Sequence, residues 1–469
     1  MIRPKAFHLV SLGCAKNTVD SESMSQLLTR DGYMASADPS EAEVLIVNTC
    51  GFIGHARDES YQVLSELAAQ KRADQWLIAA GCLSQRYGAE VIQRVPGVDG
   101  LLGTRRWMDI LDLVNKLRRR ANPEPLYHLP EQATTVGRDE GNVLRVSKQG
   151  YSAYLKIADG CRRPCAFCAI PLIKGTLVSR PMANILAEAR ALQDAGVREI
   201  ILIAQDITDW GHELGQHEGL ATLLEALVRE VPKIDWIRML YNFPGSITDR
   251  QIEAMATYAQ LIPYLDIPLQ HAHPATLRRM RRPTNMDWVY RTLEKMRAAL
   301  PGLALRSTFI VGYPGETEEE FQTLTDFVEE IRFDRLGVFT FSFEPGTTSE
   351  PLGDPVPKEV KDERKDRLMR LQQRISQEKN QELIGQTLDV LIEGHGEYEE
   401  SGEPMAVGRS YRDAPEIDGL VFVEGNPPIG EVVPVKITGA MPYDLSGVVE
   451  TSRNIITIEG LSELPLKQG

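Results

Sequence analysis

The chain has 469 residues, of which 42% are hydrophobic and 25% charged, enough for two or three domains with a sizeable core and ordinary for a soluble globular protein. No apolar run approaches the roughly 20 residues of a membrane span and the first residues carry no apolar signal region, so a cytoplasmic protein is expected. A net charge of −14 argues against broad nucleic-acid binding, and six cysteines in a reducing compartment point to metal or redox chemistry rather than disulfides.

The first segment alternates short apolar runs with amphipathic patterns, the signal of successive βα units. Strands are predicted at 7–12, 44–47 and 76–80, followed by helices at about 18–30, 53–70 and 87–94. Cys14, Cys50 and Cys82 each fall just past one of these strands. In open parallel sheets ligands gather at the carboxyl ends of the strands, so three loops can bring one thiolate each to a common point. The competing reading is three unrelated buried thiols, which the repeated strand-end position disfavours.

After a helix at 107–120, residues 123–150 are rich in Pro, Gly, Thr and charge and read as a linker, with the domain boundaries drawn at 1–122, 123–146, 147–380 and 381–469. A second βα series follows, with strands at 154–157, 199–204, 236–240, 264–267, 305–311 and 336–341. Six such units make a parallel, barrel-like domain with its chemistry at the carboxyl ends of the strands. The first strand runs directly into Cys161-Arg-Arg-Pro-Cys-Ala-Phe-Cys168, where cysteines stand at i, i+4 and i+7. Iron–sulfur clusters usually take four thiolates, and this loop supplies three, which leaves one iron open to another ligand. A zinc knuckle would need a fourth ligand nearby, and no histidine lies between Tyr151 and Arg180.

Residues 358–383 form a long, highly charged helical pattern that reads as a connector with a solvated face. Beyond 387 the pattern changes to short β segments punctuated by Gly and Pro, as in a small antiparallel barrel. From residue 381 to 469 there are 16 acidic and 5 basic residues, a net of −11, so most of the excess negative charge lies in the last fifth of the chain.

These residues carry a specific likeness. The C-x3-C-x2-C loop with Phe167 before its last cysteine resembles the signature of radical S-adenosylmethionine enzymes. Val10-Ser-Leu-Gly-Cys-Ala-Lys-Asn17, Asn48-Thr-Cys-Gly-Phe-Ile53, Gly81-Cys82, Tyr154-Leu-Lys-Ile-Ala-Asp-Gly-Cys161 and Phe167-Cys-Ala-Ile-Pro171 resemble the methylthiotransferase family within that class. Ser179-Arg-Pro181, Ile267-Pro-Leu-Gln-His271 and Ile310-Val-Gly-Tyr-Pro-Gly-Glu-Thr317 extend the likeness over nearly the whole chain, including a C-terminal barrel similar to the family's TRAM domain. Asn48–Ile53 and Gly408-Arg-Ser-Tyr-Arg-Asp-Ala-Pro-Glu416 look like the branch that modifies a ribosomal protein.

The resemblance implies two 4Fe-4S clusters, one on Cys161, Cys165 and Cys168 and an auxiliary one on Cys14, Cys50 and Cys82. S-adenosylmethionine would serve twice, as methyl donor and as source of a 5′-deoxyadenosyl radical. The implied substrate is an aspartate β-carbon of small-subunit ribosomal protein twelve, free or in the assembled subunit, with an external reductant and sulfur source. Phe167, Arg180, Gln205, Gly312 and Gly315 are the further cofactor-contact candidates. Gln205 and Asp206 end the second barrel strand; Gly312 and Gly315 would let backbone approach the adenosine; Arg180 would pair with a carboxylate. His271 and His273 are expected to be satisfied by local hydrogen bonds. A tRNA methylthiotransferase shares both cysteine trios, but an RNA-binding barrel needs cations against phosphate, and a barrel at −11 suits a basic protein. A two-cluster electron-transfer protein would need neither six βα units nor an open iron.

Overall fold

Near-continuous apolar runs mark strands covered on both faces, and the computed structural model places them so. It describes residues 5–130, 143–399 and 402–450. The first sheet contains β1 (Ala6–Ser11), β2 (Met34–Ala35), β3 (Val44–Thr49), β4 (Trp76–Gly81), β5 (Gly100–Gly103) and β6 (Leu126–His128). All its pairs are parallel, in the order β2-β1-β3-β4-β5-β6. Every residue of the central strand β3 is buried. Helices Ala15–Arg30 and Gly54–Gln70 follow β1 and β3, and the expected third helix is two pieces, Cys82–Tyr87 and Ala89–Arg94, broken at Gly88.

The linker prediction needs amendment. Its N-terminal part supplies β6, which pairs with β5, and its C-terminal part supplies β7 (Val146–Gln149). Both segments are too short and too polar to show a period; pairing with an existing strand edge makes them strands. Residues 131–142 of that stretch lie outside the described residues.

In the second sheet β7 pairs antiparallel with β8 (Ser152–Lys156), and six parallel strands form the rest. After β8 the chain makes a two-stranded ribbon of β9 (Ala158–Asp159) and β10 (Val178–Ser179), and the cysteine loop lies between its strands. The sheet continues with β11 (Glu199–Ile203), β12 (Trp236–Met239), β13 (Leu261–Asp266), β14 (Ala304–Val311) and β15 (Arg335–Thr340), in the order β15-β14-β13-β12-β11-β8-β7. It is the expected partial (βα)6 barrel with one antiparallel edge strand. Helix Glu318–Ile331 matches its expected limits because Thr317 and Glu320 form a capping box, each side chain reaching the other's backbone N–H at 3.2 Å. Helix Lys358–Gln381 buries Leu368 and Ile375 in the barrel core, as its apolar spacing predicts.

The chain divides into two compact units, 1–376 and 377–469. The second is a closed barrel, β16-β17-β18-β20-β19, built from β16 (Thr387–Glu397), β17 (Pro404–Ser410), β18 (Val421–Glu424), β19 (Val432–Ala440) and β20 (Leu445–Val449). Its pairs are antiparallel except β18 with β20, which run parallel. Arg409 is buried and pairs with Glu393 at 2.6 Å, while Ser410 donates to Asp413 at 2.9 Å, so these three residues of the Gly408–Glu416 motif are engaged inside this unit.

Candidate active site

The three N-terminal cysteines stand at three consecutive strand ends, after β1, β3 and β4. Cys14 is the residue before helix Ala15–Arg30, and Cys82 is the first residue of its helix. Asn17 ties the loops together. Its amide donates to Leu12 O at 2.9 Å and Thr49 O at 3.0 Å, and its oxygen lies 3.6 Å from Cys82 Sγ. Two glycines let the loops approach. A side chain on Gly13, at φ +91°, would meet Cys50 Cβ at 2.8 Å and its Sγ at 3.1 Å. One on Gly51 would meet Leu83 Cα at 2.7 Å.

Electrostatics within this trio are uneven. Cys14 is the solvent-exposed member of the trio; the protein atoms crowded around its loop oppose ionisation, but the Lys16 charge and the backbone N–H groups of Asn17 and Lys16 outweigh them and hold the thiol below its ordinary value. Burial pushes Cys50 up to about 11, with Cys14 adding to it, and Cys82 up to about 12, with Cys50 and Cys14 adding to it. Bare thiols crowded together resist ionisation, and a bound metal displaces their protons.

The second trio is pinned on several sides. Cys161 N donates to Gly175 O at 3.1 Å, Ala166 N to Met280 O at 2.9 Å, and Ser349 N to Ala166 O at 2.9 Å. Arg163 N points at Cys161 Sγ at 3.5 Å and Arg282 Nη1 at Cys165 Sγ at 3.4 Å. Burial raises Cys161 to about 11 and Cys168 to about 12. Phe167 packs beside Met280, Tyr313 and Phe341.

The two trios are neighbours. Cys82 packs with Ala169 and Ile173, just past Cys168, with Phe52 against them. Among the described residues no three ligand side chains converge on a single-ion site. Thiolates of a cluster each take a different iron and need no such convergence.

A buried ionic network joins the first sheet to the barrel beside these loops. Asp20 Oδ1 meets Lys156 at 2.7 Å and Arg145 at 2.9 Å, and Asp20 Oδ2 meets Lys174 at 2.9 Å. Asp159 binds Lys156 at 2.7 Å and Arg145 at 3.0 Å. All five side chains are buried, with three cations to two anions. Burial, helped by the neighbouring cations, pushes Lys156 down to about 8, while Lys156, Lys174 and Arg145 overcome burial and hold Asp20 well below the carboxylate range. Replacing Asp20 by alanine leaves three buried cations to Asp159 alone. The expected loss is about 3–5 kcal/mol in a denaturant titration. Because the folded Asp20 pKa is depressed, this stability is present above about pH 4 and lost as pH falls toward the folded value. A loss below about 1 kcal/mol, the scale of an exposed pair, would show that the network is dispensable.

Other sequence candidates are placed as follows. Gln205 follows β11, and its buried Oε1 has no hydrogen-bond partner among the described residues, as suits a group that awaits a donor. Asp206 caps a short helix, accepting from Thr208 N at 3.0 Å, and pairs with Arg163 at 2.7 Å. Arg180 corrects the sequence expectation. It is fully buried with its guanidinium on Glu188 at 2.7 and 2.9 Å, so the carboxylate it pairs with is internal. Gly312 and Gly315 take φ +71° and +79°, but a side chain on Gly312 would strike Lys361 of the connector helix, which gives that glycine a packing reason. His273 Nδ1 accepts from Ala275 N at 3.3 Å and His271 Nδ1 from His273 N at 2.9 Å, local bonds of the expected kind, but the buried His271 Nε2, 3.8 Å from Glu316, has no hydrogen-bond partner among the described residues. Lys16 and Arg282, both buried at the cysteines, were not singled out from sequence.

Residues 155–328 match the radical SAM superfamily, 6–103 the uncharacterized protein family UPF0004, and 384–449 the TRAM domain. The fold is similar to that of the radical S-adenosylmethionine methyltransferase TsrM from Kitasatospora setae, with a TM-score of 0.56 at 14% identity over 74% of this chain and 77% of that one. Fold and superfamily together define a radical S-adenosylmethionine enzyme, the class that uses this cofactor with a 4Fe-4S cluster. The ribosomal protein uS12 methylthiotransferase RimO of Chloroflexus aurantiacus is 50% identical over 94% of this chain and 99% of its own length, and that of Synechocystis 44% identical over 93% and 96%. The chain belongs to the RimO family of radical S-adenosylmethionine methylthiotransferases. No helix among the described residues is long and apolar enough to cross a membrane.

Proposed function

We propose that this protein inserts a methylthio group at the β-carbon of an aspartyl residue of ribosomal protein uS12. The observation that carries this reading is the packing of Cys82 on Ala169 and Ile173, which sets one cysteine trio beside the other. Cys161, Cys165 and Cys168 would hold the cluster that works with S-adenosylmethionine; Cys14, Cys50 and Cys82 would hold a second. When bound, these groups supply hydrogen abstraction from an unactivated carbon, sulfur and a methyl group. External donors provide the sulfur atom and the electrons. The protein acts in the cytoplasm, on free uS12 or on the assembled small subunit.

The chain's own part is to position and to shield. Arg282 faces Cys165, where it would offset thiolate charge, and Gln205 Oε1, just past β11, would accept a hydrogen bond from the bound cofactor. Phe167, Tyr313 and Phe341 pack an apolar wall behind the loop that keeps water from the reacting atoms. The 50% identity to a uS12 methylthiotransferase, over nearly all of both chains, and the acidic C-terminal unit favour this substrate over tRNA. Mass spectrometry of uS12 from cells with and without the gene should show one methylthio-for-hydrogen mass increase on an aspartyl residue, present only with the gene. An unmodified uS12 alongside a gene-dependent methylthioadenosine in tRNA would reverse the assignment.

A further inference from the structure

Lys16 is a buried cation with no carboxylate beside it among the described residues; the groups of the free protein that act on it most are Tyr241 and the Cys14 thiol two residues away. It is 8% exposed and lies in the first turn of helix Ala15–Arg30, where the helix dipole disfavours positive charge and no acidic residue accompanies it. Several other buried cations of this unit have carboxylate partners: Arg145, Lys156 and Lys174 on Asp20, Arg180 on Glu188, Arg238 on Glu199. Arg282 has none, but its guanidinium is directed at Cys165 Sγ and Pro268 O. Lys16 has no carboxylate within ion-pair distance among the described residues. Asp266, an acid that acts on it at longer range, is bound to Arg306 at 2.9 Å and to the backbone N–H of Tyr241 at 3.0 Å.

What Lys16 does have is a platform. Its ammonium lies 3.3 Å from the centre of the Tyr241 ring. Tyr241 follows β12 on the carboxyl face of the barrel and is held at φ +68°, an unfavourable angle for a tyrosine. Asp266 secures that conformation through the Tyr241 and Asn242 N–H groups, at 3.0 and 2.9 Å. The strained tyrosine thus fixes an ammonium two residues from Cys14, where the first sheet meets the barrel.

Resting on the uS12 reading, we propose that Lys16 receives the carboxylate of the aspartyl side chain that is modified, and so determines that the target bears a carboxylate. A desolvated ammonium binds a carboxylate by a charge-assisted hydrogen bond, whereas an amide or a nucleobase brings no charge to balance it. A lysine that merely offset cluster charge would treat charged and neutral targets alike.

The test compares uS12 carrying Asp with uS12 carrying Asn at the modified position, by binding affinity and by kcat/KM, in wild type, Lys16→Met and Lys16→Arg. Wild type should prefer Asp by about 100-fold, Lys16→Met should lose about that factor on the Asp target alone, and Lys16→Arg should recover part of it. Iron content equal to wild type certifies the folded site; should Lys16→Met load less iron, the neutral Lys16→Gln makes the same comparison. A Lys16→Met protein that still discriminates, or that loses both targets equally, overturns the inference alone. Wild type that leaves the aspartyl target unbound and unmodified overturns the functional reading and this inference with it.

Discussion

Replacing Cys161, Cys165 or Cys168 by alanine should abolish 5′-deoxyadenosine formation. A loop with two thiolates cannot hold a cluster that must also leave one iron open, since four positions are normally filled. Losing a group that merely supports a ligand costs about 10–100-fold, and loss of a ligand should exceed that. The backbone of this loop is tied to Gly175, Met280 and Ser349, so an alanine leaves its course intact and removes only the sulfur. Product measured by chromatography after anaerobic reconstitution decides the matter. Undiminished cleavage in any of the three variants would rule out this site.

The triple replacement of Cys14, Cys50 and Cys82 by alanine should separate the two halves of the chemistry. Iron should fall from about eight atoms to about four per chain. Cofactor cleavage should persist, because Arg163, Arg282 and Gln205 lie in the barrel, whereas methylthiolated uS12 should disappear. Fold should survive, since the bonds of the Asn17 amide to Leu12 and Thr49 and the packing at Gly51 do not depend on the thiols. A triple variant that keeps about eight iron atoms would place the second cluster elsewhere.

The sequence by itself determined the elements and the cysteine positions. Strands such as β3 and β14 are covered on both faces or alternate by twos, and helix Glu318–Ile331 carries its own cap, so their signals are local. A cysteine after a strand therefore falls at a sheet end wherever that strand sits. The helix after β1 begins at Ala15, three residues earlier than its periodicity indicates, because the apolar pattern weakens in the first turn where Lys16 and Asn17 turn inward.

Tertiary structure decided what the charged side chains do. Arg180 reads as a ligand for a cofactor carboxylate until Glu188 is found against it, and Gly312 reads as an adenosine cradle until Lys361 packs over it. β6 becomes a strand only because β5 offers an open edge. Lys16 falls before the predicted helix and resembles any surface lysine, and only the fold buries it over Tyr241, far along the chain. The reason is physical: secondary structure follows from a residue's near neighbours in sequence, whereas the worth of a buried charge depends on which counter-charges and which solvent the fold leaves around it.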